Sequence, residues 1–187
     1  YKGRYFSVDG PLNISRSVQG RPVLYTAGTS ANFIENATSY TDGAFIFGNT
    51  LQETLAVANK VKSRLIEKGR VPEDFILATQ QNPIVGRTEK EAQDKYLELM
   101  KLIPNNSIPP PLFFGSAEKV ADQIQQWYEV GAMDMLILRQ EHPYGLRDFI
   151  DLVVPILQER GIFRTEYESD ILRENLGLPK PAFRKIK

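Results

Sequence analysis

Three small residues, Gly28, Thr29 and Ser30, stand where a short apolar run ends and a helical pattern begins. Residues 22–27 before them are β-prone, and Thr29 or Ser30 can cap a helix over about 31–40. The free N–H groups and the dipole at a helix start favour an anion such as phosphate, and glycine permits its close approach. The spacing therefore predicts a phosphate-binding turn. The alternative is a tight turn with an ordinary Ser30 N-cap and no ligand.

The only histidine, His142, follows the last strand candidate at residues 133–138. Loops at the carboxyl ends of parallel strands often build sites, so His142 is a weak candidate for proton transfer or cofactor contact, with Glu141 able to orient its ring. The alternative is an exposed loop histidine without a partner. One histidine and no cysteine predict no conventional metal cluster, although an all-carboxylate site stays open.

Asn49 and Thr50 follow the second strand candidate, residues 43–47. They therefore lie at the carboxyl end of that strand, where α/β proteins bind their ligands. The competing interpretation, that they cap the next helix, is favoured. Aromatic side chains near these elements are expected in the core or in an interface: Phe45, Phe47, Trp127 and Tyr128.

The elements that must position these residues alternate between strand and helix. Such alternation predicts an α/β fold with about four parallel strands, as an open sheet or part of a barrel. We expect one domain over residues 1–187, with an extended loop at 1–21, a Pro-rich connector at 103–111 and a tail at 163–187 on the surface. The strand candidates are 22–27, 43–47, 75–79 and 133–138, and the helices are about 31–40, 50–69, 88–102, 116–131 and 146–161, the last kinked at Pro155.

Composition narrows the class of protein. The chain has 42% hydrophobic and 25% charged residues, which is typical of a globular protein. Lys plus Arg and Asp plus Glu are both 23, so we expect neither a nucleic-acid partner nor a membrane surface. The absence of cysteine excludes disulfides and thiol catalysis and favours a cytoplasmic protein.

Stretches in a fixed order through nearly the whole chain resemble the nitrilotriacetate monooxygenase family, a branch of the bacterial luciferase-like, FMN-dependent monooxygenases. They include Ala27 to Ser30, already singled out as a phosphate turn. The others are Gly3 to Phe6, Gly10 to Asn13, Gln19 to Val23, Val85 to Glu89 with Glu91-Ala92, Gly115-Ser116 with Val120 to Asp122, Gly145-Leu146 with Phe149, Asp151 to Pro155, Leu157 and Arg160-Gly161, Phe163-Arg164 with Tyr167-Glu168, and Leu172-Arg173 with Gly177 to Pro179.

The resemblance implies half of a TIM-type (β/α)₈ barrel and an oxidoreductase activity. Reduced FMN, supplied by a flavin reductase, would react with oxygen and oxygenate a small organic substrate, with Gly28, Thr29 and Ser30 holding the FMN phosphate. Four strands instead of eight imply a partner, either a complementary N-terminal half-barrel or a second copy in a homodimer. The connector at 103–111 is shorter than the family's usual insertion. The alternative is a truncated, inactive relative that self-associates or binds only flavin or phosphate.

Overall fold

The computed structural model describes residues 1–10, 13–103 and 111–182. Among the described residues before the first strand, Lys2 and Ser7 form an isolated antiparallel bridge. The elements then follow in this order: β1 (Tyr25–Ala27), α1 (Ala31–Tyr40), β2 (Gly43–Phe45), α2 (Leu51–Glu67), a 3₁₀ turn (Pro72–Asp74), β3 (Ile76–Gln81), β4 (Ile84–Gly86), α3 (Glu89–Leu102), β5 (Phe114–Ser116), α4 (Ala117–Glu129), β6 (Met135–Leu138), α5 (Gly145–Asp148), a π-helical segment (Phe149–Val153), α6 (Val154–Glu159) and α7 (Leu172–Asn175).

Four strands form one parallel sheet in the order β1-β2-β3-β6. The predicted α/β class with four parallel strands is therefore confirmed. The central strands β2 and β3 are mostly buried, whereas every residue of the outer strands β1 and β6 is at least partly exposed. Among the described residues no strand pairs with the outer edge of β1 or β6.

Helices α1 and α2 cover one face of this sheet. Ala44 and Ile46 from the β2 region and Leu77 from β3 are buried there, together with residues such as Phe33 and Val61 of the two helices. Side chains alternate along a strand, so the residues between these positions point to the opposite side, which we call the open face. Its members are Phe45 and Phe47 of the β2 region, Ile76, Ala78 and Gln80 of β3, and Met135 and Ile137 of β6.

Two short strands that the sequence did not predict, β4 and β5, form a separate parallel pair. Asn82 and Pro83 separate β4 from β3, and Ser116 both ends β5 and caps α4. Strands of three residues are too short to show the two-residue alternation of apolar and polar side chains. The sequence pattern therefore does not distinguish them from the neighbouring elements. Residues 104–110 of the connector predicted at 103–111 lie outside the described part of the chain.

The last long helical region is interrupted as its proline predicts. The π-helical segment Phe149–Val153 ends directly before α6, which carries Pro155 in its first turn. Proline has no N–H and its ring crowds the carbonyl four residues earlier, and a wider π turn accommodates both effects. Phe149 and Val153 are nonetheless buried, because this side packs with Trp127 of α4 in the second hydrophobic core.

A charged cluster closes the amino end of the sheet. Asp42, just before β2, is 5% exposed and accepts hydrogen bonds from the guanidinium groups of Arg21 and Arg173 and from the Leu24 N–H. Arg173 of α7 is 2% exposed and also donates to the Pro22 carbonyl at 3.3 Å. The cluster ties the segment after α6 to the start of the sheet.

Candidate functional site

The turn after β1 requires glycine. The Gly28 N–H donates to the Phe45 carbonyl at 3.0 Å, which extends the β1–β2 pairing by one residue. Gly28 then takes a φ of 149°, a conformation that L side chains rarely adopt. A Cβ at this position would lie 3.0 Å from the Phe33 ring. The turn is therefore tight, and it brings main-chain N–H groups to the sheet's carboxyl end.

Ser30, one of the two residues predicted as possible caps, caps helix α1. Its Oγ accepts a hydrogen bond from the Phe33 N–H at 3.2 Å. Within the described chain no protein acceptor bonds the N–H groups of Thr29, Ser30, Ala31 and Asn32, and these four residues are exposed. First-turn N–H groups without an intrahelical partner are the donors that bind anions at helix starts. The turn thus offers several N–H donors and two hydroxyls.

The other three capped helices already have a carboxylate at their amino ends. Glu53 in α2 accepts from the Asn49 N–H, and Glu91 in α3 accepts from the Arg87 N–H, both at 2.8 Å. Glu89 accepts from the N–H of Ser116, the cap of α4, at 2.7 Å.

The Ser116 N–H and the Lys119 ammonium lower the pKa of Glu89 to about 2. Helix α1 has no acidic residue in its first turn. Among α1 to α4 its amino end is therefore the one that an external anion can reach without meeting a glutamate.

His142 is buried, with 9% of its surface exposed, which contradicts the interpretation of an exposed loop residue. Its Nδ1 accepts from the Tyr144 N–H at 3.4 Å, because the loop folds back to start α5. Glu141 does not orient the ring, since it pairs with Arg139 at 3.3 Å.

The structure does not bring His142 next to the Gly28 turn. His142 follows one edge strand and Gly28 follows the other, and the two edges are three strand spacings apart, about 14 Å along the sheet. A ligand contacting both would have to extend across the carboxyl ends of all four strands.

Thr50 serves as a helix cap, which was the favoured interpretation. Its Oγ1 accepts from the Glu53 N–H at 3.1 Å. The aromatic set divides: Trp127 is 4% exposed and lies in the core, Phe45 is half-buried, and Phe47 is 48% exposed. The Phe47 ring is therefore available to contact a ligand or a partner on the open face.

Gln80 is a residue of this region that the sequence analysis missed. It is the one exposed residue of β3 and lies on the open face between Phe47 and Ile137. The sequence gives little indication of this role, because β3 is apolar on both faces. Gln80 is also followed by a second glutamine, so the alternation of side chains does not show which of the two glutamines faces the core.

The described residues form neither a metal cluster nor a membrane span. In that part of the chain no group of three or more His, Asp or Glu side chains could hold a metal ion. None of its helices is both long and apolar enough to cross a membrane.

Comparison with known proteins gives the family. Residues 1–109 match the family described as luciferase-like monooxygenase. The chain is 32% identical to N-acetyl-S-(2-succino)cysteine monooxygenase of Bacillus subtilis (strain 168), covering 100% of this chain and 57% of that protein. It is 30% identical to nitrilotriacetate monooxygenase component A of Aminobacter aminovorans, covering 96% of this chain and 53% of that protein.

The fold agrees with these matches. A crystal structure of a long-chain alkane monooxygenase superposes with a TM-score of 0.83 at 28% identity, covering 95% of this chain and 50% of the other. The chain thus spans about half the length of the relatives it matches. The match to the Bacillus subtilis protein extends over 250 residues against 187 here, so that relative has segments inside the matched region that this chain lacks. The chain belongs to the luciferase-like monooxygenase family.

Proposed function

We propose that this chain forms the phosphate-holding half of an FMN-dependent monooxygenase, with Gly28, Thr29 and Ser30 as the phosphate turn. The observation that carries the proposal is the amino end of α1, where N–H groups without protein acceptors lie beside two hydroxyls and no carboxylate. The names of the relatives support the reaction class, since they are called monooxygenases.

The residues present fit a flavin phosphate. Phosphate oxygens accept hydrogen bonds, and the turn supplies N–H and O–H donors together with the positive end of a helix dipole. Gly28 keeps the turn tight enough for the main chain to approach the ligand. When bound, reduced FMN would supply two electrons to O₂, so that one oxygen atom enters the substrate and the other leaves as water.

The remaining parts of the machinery are proposed from the same reasoning. A flavin reductase would supply reduced FMN, and the substrate would be a small organic molecule. The compartment would be the cytoplasm, a reducing environment with which the absence of cysteine is consistent. His142 remains a catalytic candidate. Its Nδ1 accepts the Tyr144 N–H, which leaves Nε2 as the ring atom that can donate a proton.

The two free sheet edges support a partner. Tyr25 on β1 and Ile137 on β6 are each 38% exposed, and neither edge has a pairing strand among the described residues. Unpaired edges with apolar side chains favour association. We propose a complementary N-terminal half-barrel as the partner that completes an active enzyme, with a second copy of this chain as the alternative. Light scattering tests association of the chain alone: we expect a dimer or larger assembly, and a stable monomer that leaves an apolar dye unbound would contradict it.

A second function has one observation in its favour. The chain supplies four strands of a barrel that needs eight, so it could bind flavin or phosphate without oxygenating a substrate. Assaying oxygen-dependent oxidation of reduced FMN with and without an organic substrate separates the two functions. Substrate-independent oxidation alone would favour the binding protein.

Titration with FMN and with riboflavin, which lacks the phosphate, tests the turn. The variant Ser30→Asp keeps an N-cap side chain but places a negative charge at the phosphate position. We expect FMN to bind at least about tenfold more tightly than riboflavin, and we expect Ser30→Asp to remove that preference. Ser116→Asp is the matched control, because Glu89 already occupies the α4 amino end. Equal affinity for the two flavins, or no effect of Ser30→Asp, would refute the turn as a phosphate site.

A further inference from the structure

One row of the open face lies at the carboxyl end of the sheet and consists of Phe47, Gln80 and Ile137. Gln80 and Ile137 are partners in the β3–β6 register. Phe45 is the partner of Ala78, and continuing that register places Phe47 beside Gln80. All three side chains are exposed, with Phe47 at 48% and Ile137 at 38%. The row therefore forms an uncovered surface on the described chain.

Gln80 differs from the rest of its strand. The other five residues of β3 are buried, including Gln81 at 6%, which points to the helix-covered face. In the described chain the Gln80 amide has no hydrogen-bond partner, although it carries two donors and an acceptor. A polar group flanked by apolar side chains, once covered, needs a partner that bonds it.

Phe47 supplies a flat apolar surface beside this amide. Its ring contacts that of Phe45 with the centroids 4.4 Å apart at 55°, so the two aromatic side chains hold each other in place. Phe45 in turn lies between two small residues in the register, Ala27 and Ala78. The surface thus consists of the Phe45–Phe47 ring pair, flanked by small apolar side chains, with the Gln80 amide next to Phe47. Such a surface fits a flat heteroaromatic ring with a polar edge.

The position of Gln80 relative to the Gly28 turn agrees with that ligand. β1 and β3 are two strand spacings apart, about 10 Å, and both Gln80 and the turn lie at the carboxyl ends of their strands. A ribityl chain joins the phosphate of FMN to its ring system and can span this separation. Carboxyl ends of parallel strands are where barrel enzymes bind their ligands.

We propose that Gln80 is a flavin-binding residue: its amide hydrogen-bonds the polar edge of the isoalloxazine ring, and Phe47 packs against that ring. The inference rests on the proposed function, because it takes the ligand to be a flavin. It differs from the phosphate turn in the part of the ligand it contacts. Gln80 recognises the ring, which riboflavin and FMN share, whereas the turn recognises the phosphate, which only FMN carries.

Titration of the full chain with riboflavin and FMN tests the inference in wild type, Gln80→Leu and Gln93→Leu. Gln93 is an exposed glutamine on α3 that makes no side-chain hydrogen bond within the described chain, so it controls for the loss of a surface amide. We expect Gln80→Leu to lower the affinity for both flavins about five- to tenfold, which corresponds to the loss of one hydrogen bond. We expect Gln93→Leu to leave both affinities unchanged. The absorption maximum of bound flavin should also shift in Gln80→Leu, which a purely structural effect on the sheet would not cause.

The outcomes separate the two proposals. Unchanged binding of both flavins by Gln80→Leu, with folding verified by circular dichroism, would overturn the inference and leave the phosphate turn standing. Equal wild-type affinity for FMN and riboflavin, still lowered by Gln80→Leu, would overturn the turn and support Gln80. If wild type binds neither flavin at millimolar concentration, both proposals fail for this chain.

Discussion

Replacing Asp42 with asparagine should destabilise the chain more than any surface change. Asp42 is 5% exposed and its carboxylate accepts hydrogen bonds from two guanidinium groups, those of Arg21 and Arg173. Asparagine has nearly the same size but no charge, so the substitution leaves the buried Arg173 without its counter-ion. Breaking a buried ion pair by removing one partner costs about 3–5 kcal/mol. Domains of this kind have only about 5–15 kcal/mol of stability at neutral pH.

The lowered pKa of Asp42 makes this stabilisation depend on pH. Burial alone would raise this pKa, but hydrogen bonds from Arg173, Arg21 and the Leu24 N–H outweigh burial and lower it to about 2 from 3.8. A carboxyl whose pKa is depressed by folding stabilises the fold above its unfolded pKa. That contribution, about 2 kcal/mol, is lost as the pH falls from about 4 towards 2. Asp42→Asn lacks this group and should show a smaller loss of stability over the same pH range.

Urea unfolding followed by circular dichroism at pH 7, and at intervals between pH 5 and 2, measures both effects. Glu67→Gln is the control, because the Glu67 side chain is 60% exposed and its pair with Arg64 should contribute less than about 1 kcal/mol. A free energy of unfolding of Asp42→Asn within about 1 kcal/mol of wild type at pH 7 would contradict a stabilising buried ion pair. An acid dependence identical to that of wild type would refute the pKa argument.

Two further substitutions test the loops at the carboxyl ends of the strands. Gly28→Ala should destabilise the fold by about 2–4 kcal/mol, because alanine is strained at a φ of 149° and its Cβ would crowd Phe33. The same change should weaken the binding of FMN more than the binding of riboflavin. An unchanged free energy of unfolding and unchanged flavin affinities would contradict this. Glu89→Gln should speed hydrogen exchange of the Ser116 N–H at pH 7, where Glu89 with its pKa of about 2 is ionised, and exchange as slow as in wild type would count against the contact.

Local patterns account for most of the fold. The apolar runs predicted all four strands of the parallel sheet, because this signal depends on neighbouring residues. For the same reason the helices predicted from about 50, 88 and 116 do begin there, after caps at Thr50, Thr88 and Ser116. Long-range contacts left no such signal. Arg173 and Asp42 are 131 residues apart in the chain, so neither residue's surroundings indicate that they form a buried pair.

The site was predictable in part for the same reason. The Gly28 turn has a local signature, and the structure shows the capped helix that the signature predicts. The burial of His142 depends on how the β6–α5 loop folds back onto α5, which spacing does not encode. The role proposed for Gln80 depends on which face of β3 it occupies, and a strand buried on both sides leaves that undecided until the helices are placed.

We propose that the start of α1 binds the flavin phosphate. Nitrogen-edited NMR of the chain during titration with FMN tests it most directly, because each main-chain N–H reports its own environment. We expect the N–H signals of Thr29, Ser30, Ala31 and Asn32 to shift most with FMN and far less with riboflavin. Shifts of these four signals that are no larger than those at the Glu89-occupied start of α4 would contradict it.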